Sequence, residues 1–245
     1  MSRHPASILA AALALFAATA GAREATPFLG PAGLPAARFP LPVRPVAPVV
    51  SDRWRDEDSR ERVGEAAHVI GWLGLRDGMA VADIGAGSGY YTVRLAAAVG
   101  AGGRVLAQDV VPEYVAALRE RVAAAGLANV AVGLGEPGDP RLPQHSVDVA
   151  VMVHMYHEIA RPAALLANLA PSLRPGGRLG IVDVDDATER HGTPRALLDC
   201  ELAASGYRRV AFHWLLVQPP RSEYLAVFEP PASAPDPASA APCRP

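Results

Sequence analysis

The sequence predicts an α/β fold: a doubly wound, mostly parallel, seven-stranded sheet preceded by an N-terminal helical extension. Three observations carry this. Short apolar runs at 79–84, 104–109, 129–133, 146–153 and 178–184 alternate with stretches of helical periodicity, the pattern of a parallel sheet covered on both faces. The first run ends in Gly85-Ala-Gly-Ser-Gly89, a turn that leads straight into a helical pattern at Tyr90. The last two runs, 207–217 and 223–228, are separated only by a turn at Pro219-Pro220 and close the sheet as an antiparallel hairpin.

A chain of 245 residues, half of them hydrophobic and one-fifth charged, suits one such domain. It divides into a leader (1–22), a proline-rich linker (23–50), the folded domain (51–229) and a disordered tail (230–245). The formal net charge of -2 supplies no basic field for nucleic acid. Arg3 and His4 precede an uncharged run, 6–22, that ends in small residues suited to a signal peptidase. The reading is a secretory signal and a periplasmic or secreted protein. An uncleaved anchor is the lesser alternative, because the run is short for a spanning helix. Seven prolines between Pro27 and Pro48 prevent regular structure there, leaving a linker or a strap on the surface. Cys200 falls in a helical pattern and Cys243 in the tail, so no structural disulfide is expected.

In chain order, Ser51 to Gly74 reads as one helix, capped by Ser51 or Asp52, with Val63, Ala66, Ala67, Ile70 and Leu73 on its apolar face. Its charged start, 53–60, is a solvated face or, functionally, a lid with Trp54 and Arg55 as contacts. Met79–Ile84 is a buried strand broken only by Asp83, and Tyr90–Val99 is the helix after the glycine turn. Arg104–Asp109 is the second strand, Pro112–Ala125 a helix closed by Gly126, and Asn129–Gly133 the third strand. A polar loop, 134–140, follows. The fourth strand, Ser146–Val153, delivers His154-Met-Tyr-His-Glu158 into the crevice where ligands sit in such sheets. A helix from Arg161-Pro162 to Leu173, a tight turn at Pro175-Gly-Gly177, the fifth strand Arg178–Val184 and a helix Pro194–Ser205 complete the order before the hairpin.

Glycines at 85, 87 and 89 let the backbone bend sharply and let a ligand reach amides that a Cβ would cover. The pattern Asp83-x-Gly-x-Gly-x-Gly89 is not the dinucleotide fingerprint, because Tyr90 stands where its third glycine belongs. Asp109 lies where a ribose-binding carboxylate is expected, and both sugar hydroxyls can donate to one carboxylate. A cap for the helix at Pro112 is the competing role.

With these residues in view, the chain from Arg53 to Glu229 resembles the class I S-adenosylmethionine-dependent methyltransferases, whose first motif has this form. Leu173-Arg-Pro-Gly-Gly-Arg-Leu179 matches the family's helix-to-strand turn, and the closest likeness is to predicted bacterial methyltransferases with signal peptides. The resemblance implies a Rossmann-like methyltransferase fold, S-adenosylmethionine as cofactor, and a site built from Asp83, Gly85, Gly87, Gly89, Tyr90, Asp109, Glu136 and His154. Glu136 takes the place of the acid that accepts from the adenine amino group, with Asp139 as the fallback. Alignment of two reactants can be worth about 7–11 kcal/mol, so few catalytic side chains are needed. Where the acceptor must lose a proton, a base near the fourth-strand end is required, His157 first and His154 second. Asp183 could orient substrate and Tyr156 could line the pocket. His154-x-x-His157-Glu158 and Asp183-x-Asp185-Asp186 resemble metal ligands, but the histidine spacing of three weakens the match and no metal is expected. The expected activity is methyl transfer to a small-molecule or envelope acceptor. The alternative is a non-catalytic ligand- or protein-binding module that keeps the fold. Charge, and the absence of an Asn/Asp-Pro-Pro-Tyr tetrapeptide, argue against DNA bases as acceptors.

Overall fold

The structure, a computed structural model, describes residues 29–50, 57–219, 221–233 and 243. The leader at 1–22 and the lid contacts Trp54 and Arg55 lie outside the described residues. Strands β1 (Ala80–Ile84), β2 (Arg104–Asp109), β3 (Val130–Leu134), β4 (Val147–Val153), β5 (Leu173–Val184), β6 (Arg208–Leu216) and β7 (Glu223–Glu229) form one sheet in the order β3-β2-β1-β4-β5-β7-β6. The first five run parallel; β7 is antiparallel to both β5 and β6. The chain steps outward from β1 to β3 and then returns to lay β4 on the other side of β1. That reversal opens a crevice at the carboxyl ends of β1 and β4.

Near-continuous apolar strands need cover on both faces, and they receive it. Val81, Val105, Val149 and Val151 pack against helices α2 (Glu65–Leu73), α3 (Tyr90–Val99) and α4 (Pro112–Ala124). Ile84, Leu106, Ala150 and Met152 face α5 (Pro162–Leu169) and α6 (Arg195–Ala204) on the other side. The expected doubly wound sheet with an antiparallel last strand is therefore present.

Three expectations need correction. Residues 57–73 form two helices, α1 (Glu57–Arg62) and α2, because Gly64 takes a left-handed conformation, φ 63°, between them. Helix α5 ends at Leu169, and β5 already begins at Leu173. Pro175 to Gly177 is thus an irregularity inside the strand, where pairing jumps from Val147↔Leu173 to Val149↔Arg178. Cys200 and Cys243 form a disulfide, with Cα atoms 5.8 Å apart and Cys243 buried. Sequence spacing gave no sign of it, because nothing local places residue 243 against α6.

Residues 29–50 run as an irregular strap over the carboxyl end of the sheet. Gly33 N–H donates to Asp139 Oδ2 (2.7 Å), and Leu34 N–H to Asn168 Oδ1 (2.8 Å). Phe39 is buried against Ala164 and Ala167. Buried Arg44 pairs with Glu201 (2.9 Å) and donates to the carbonyls of Tyr156 (3.1 Å) and His157 (3.3 Å). Ala47 N–H bonds the His157 carbonyl, and Val50 N–H the Glu158 carboxylate, so the strap ends at the crevice. Among the described residues no helix is long and apolar enough to cross a membrane.

The disulfide spans 43 positions, and closing a loop of that size in the unfolded chain is worth at most about 4 kcal/mol. Cys243→Ser should therefore lower the unfolding free energy by about 2–4 kcal/mol. Denaturant melts with and without a thiol reductant measure this; a reductant that leaves the wild-type midpoint in place would show that the link contributes nothing.

Candidate functional site

β1 ends at Ile84 and the chain turns through Gly85 (φ 69°), Gly87 (φ 52°) and Gly89 (φ 84°) into α3. All three lie in the left-handed region where a side chain is strained. A Cβ on Gly85 would meet Met155 Cε at 2.8 Å, and one on Gly89 would meet Leu118 Cδ1 at 2.4 Å. The loop is pinned to the next strand by Asp109, whose Oδ2 accepts from Gly87 N–H (2.9 Å) and whose Oδ1 accepts from Val111 N–H (2.9 Å). The N-cap of α4 is Val111, and Asp109 holds that residue's N–H rather than capping the helix itself. It steadies the entry to α4, and it lines a cavity of about 270 Å³.

That cavity lies at the carboxyl ends of β1 and β4. Of the expected residues, Asp83, Gly85, Gly87, Tyr90, Asp109, Glu136 and His154 line it. Gly89 packs behind it against α4. Asp83 is buried and accepts from Thr92 Oγ1 (2.6 Å). Burial pushes its carboxyl up to about 6, with the nearby Asp109 charge adding to the rise and the Thr92 bond opposing it. Glu136 is exposed and pairs with Arg141 (3.0 Å), whereas Asp139 turns away to hold the strap.

The roof comes from α1, α2 and the strap. Arg60 reaches into the cavity wall between the rings of Tyr90 and Tyr91 and pairs with Glu65 (2.6 Å). Tyr91 donates its hydroxyl to Glu65 (2.9 Å), and His154 Nε2 lies 3.6 Å from the same carboxylate. Burial alone would raise the Glu65 carboxyl, but His154 and Arg60 together hold it well below the usual range. Tyr90 donates to Glu61 and lies beneath Arg94.

The two histidines separate. His154, at φ 52°, lines the cavity. His157 does not; it is fully buried, its Nδ1 against Asp183 (3.0 and 3.1 Å), and its neighbour Glu158 takes the cavity position instead. Asp183 is likewise buried, accepting from Thr193 Oγ1 and Val184 N–H, and Tyr156 sits in the core rather than in the pocket. Burial pushes the Glu158 carboxyl up to about 7, against the opposing Val50 N–H bond.

Sequence reading missed Gln108, Arg60 and Glu158. Gln108 lines the cavity, while its Oε1 is turned into the protein beside Gly135 and has no hydrogen-bond partner among the described residues. A lone amide inside an otherwise apolar strand, next to Asp109, was the available signal. Arg60 was hidden in a charge run, and Glu158 behind the histidine beside it.

Comparison with known proteins points the same way. A family described as "Methyltransferase domain" matches residues 81–177. An uncharacterized methyltransferase of Mycobacterium tuberculosis H37Rv is 36% identical over 123 residues, covering 50% of this chain and 47% of that protein. Nocamycin O-methyltransferase of Saccharothrix syringae is 35% identical over 119 residues, covering 47% of this chain and 41% of that one. The chain thus spans about half the length of the curated relatives it matches. An S-adenosylmethionine-dependent methyltransferase from Aquifex aeolicus superposes with a TM-score of 0.60 at 26% identity, over 71% of this chain and 98% of that one. The [4+2]-cyclase SpnF, at 15% identity and TM-score 0.61 over 80% of this chain and 90% of that one, shares the fold.

The raised Asp83 carboxyl has a consequence for stability. Unfolded, it titrates near about 3.9, so between there and its folded value of about 6 the native state holds a proton that the unfolded chain has released. Its protonated form favours the fold below that window, and stability falls as pH rises through it. Asp83→Asn stays neutral and can still accept from Thr92. It should be more stable than wild type at pH 8 by on the order of 2 kcal/mol, with the two converging below pH 4, in thermal melts across pH.

Proposed function

We propose that this chain, whose central domain is of the class I S-adenosylmethionine-dependent methyltransferase family, transfers a methyl group to a small-molecule or envelope acceptor. One arrangement carries the reading: the left-handed glycine loop and the Asp109 carboxylate that pins it line a single cavity. These residues fit S-adenosylmethionine. The backbone at Gly85 and Gly87 lines the space it would fill, Asp109 would accept from ribose hydroxyls, and Glu136 from the adenine amino group. Asp83, buried and raised, gains from a cation beside it.

When bound, that cofactor supplies an electrophilic methyl on a sulfonium. The chain's own residues hold and align. Val49 and Val50 of the strap, with Tyr91, Val153 and Met155, wall the remaining cavity and limit water. His154, the one imidazole lining the cavity among the described residues, is the group placed to take a proton from an acceptor, with Glu65 to stabilise the imidazolium. We place the protein outside the reducing cytoplasm. The Cys200–Cys243 disulfide supports this, since such links persist in oxidising compartments.

Calorimetry with S-adenosylmethionine, its demethylated product and NAD tests the reading. The first two should bind saturably and NAD should not. Asp109→Ala removes charge-assisted bonds and should weaken binding by about 10–100-fold. Gly87→Val, forced into φ 52°, should abolish it. No binding by wild type to either sulfur compound would end the proposal.

A further inference from the structure

At the edge of the cavity, three side chains from two segments turn their donor atoms toward one point. His157 follows β4 in a short 3-10 turn, Tyr156–Glu158, which also carries Glu158. His191 arrives from a second turn after β5, Thr188–Arg190, and is held at φ 56°, in the left-handed region. Glu158 Oε1 lies 3.9 Å from His157 Nε2 and 3.9 Å from His191 Nδ1, and the three donor atoms all fall within 4.8 Å of one another. The two imidazole rings meet edge to face, with centroids 5.4 Å apart.

We propose that His157, Glu158 and His191 bind a divalent transition-metal ion of the zinc class at the edge of the cavity. Two neutral imidazoles and one carboxylate are a donor set that suits such an ion and leaves positions for water or a heteroatom of the acceptor. Ligand separations just under 4 Å close to bonding distance around an ion with small side-chain rotations, because each donor then sits roughly 2.0–2.2 Å from the centre.

The surroundings support the assignment. Asp183 lies against His157 Nδ1, and in the tautomer with Nδ1–H donating to it the Nε2 lone pair is turned toward Glu158. Its own geometry is set by Thr193 Oγ1 (2.7 Å) and Val184 N–H (2.8 Å). A carboxylate behind a ligating histidine is the arrangement that orients the ring and raises its basicity. Among the described residues no ion pair joins an arginine to Asp183 or Glu158, whereas Asp185 and Asp186 next to Asp183 are taken by Arg195, Arg190 and Arg221. A second cluster, Glu65, His154 and Glu223, has convergent atoms too, but there Arg60 already supplies the positive charge. The histidine spacing of three that argued against a metal in the sequence is immaterial here, because His154 is not a ligand and His191 completes the set from 34 positions beyond His157.

The proposal stands apart from the methyl donor, and the test keeps the two separate. Full-length protein stripped with a chelator and titrated with Zn²⁺ in a calorimeter should take up one ion per chain, and Co²⁺ should give the visible bands of a low-coordinate nitrogen and oxygen site. His191 is partly exposed, so His191→Ala leaves the core intact and should lose about 100-fold or more in Zn²⁺ affinity at an unchanged melting temperature; Glu158→Gln should do likewise. Asp183→Asn should weaken binding by about 10–100-fold. S-adenosylmethionine binding, measured on the same samples, reports on the donor site alone. Absence of stoichiometric Zn²⁺ uptake by wild type, or an undiminished equivalent in His191→Ala, overturns the metal site whatever the donor does.

Discussion

The Asp109 carboxylate ties the glycine loop that follows β1 to the turn that leads into α4. Parallel pairing sets Ile84 beside Gln108, so the residue after Gln108 faces the loop that follows Ile84. Ala86 N–H takes the Gln108 carbonyl, and Gly87 N–H takes the Asp109 side chain. Only a backbone at positive φ can present the Gly87 amide in that direction, so the glycines and the acid are one constraint expressed at two places in the chain. Removing the acid would strand Gly87 and Val111 N–H groups, at about 1–3 kcal/mol for each one left buried.

Floor and roof of the cavity follow different physics. The floor is apolar sheet, packed on both faces and insensitive to any single polar contact. The roof is polar and depends on a few buried charges. Glu65 gathers Arg60, the Tyr91 hydroxyl and His154, and losing Arg60 would leave a buried carboxylate at a cost of about 3–5 kcal/mol. Arg44 does the same for the strap through Glu201 and the carbonyls above β4. By contrast, the Glu57–Arg121 and Glu61–Arg94 pairs are solvent-facing and add little to stability. Helix α1 is therefore held to the rest of the roof chiefly by Arg60, which it carries into the Glu65 cluster.

How much of this the residues announced in advance depends on whether the cause was local. The strand-turn-helix at 80–99 and the strand ending in Asp109 were legible because glycine, apolar runs and an acid at a strand end are each dictated by neighbours in sequence. The break at Gly64 was not, since an isolated glycine within a helical pattern reads equally as a tolerated defect. His157 was read as facing the cavity because it follows a strand end. In the fold a short 3-10 turn rotates it inward to Asp183 and puts Glu158 on the wall. Gln108, His191 and the partner of Cys200 all owe their places to tertiary contacts, and no periodicity reports those.

The charge on the cavity wall ties these pieces together. Asp83, Asp109, Glu136 and Glu158 line it, and Arg60, the one arginine lining it among the described residues, is committed to Glu65. Burial holds both Asp83 and Glu158 above their ordinary values, and the Asp109 charge adds to the rise in each. A positive ligand beside Asp83 lowers the cost of its ionised form, and an ion held by His157 and His191 does the same for Glu158. The two raised carboxyls thus mark two places where the folded chain gains from receiving positive charge, one under the glycine loop and one where the cavity meets the buried histidines.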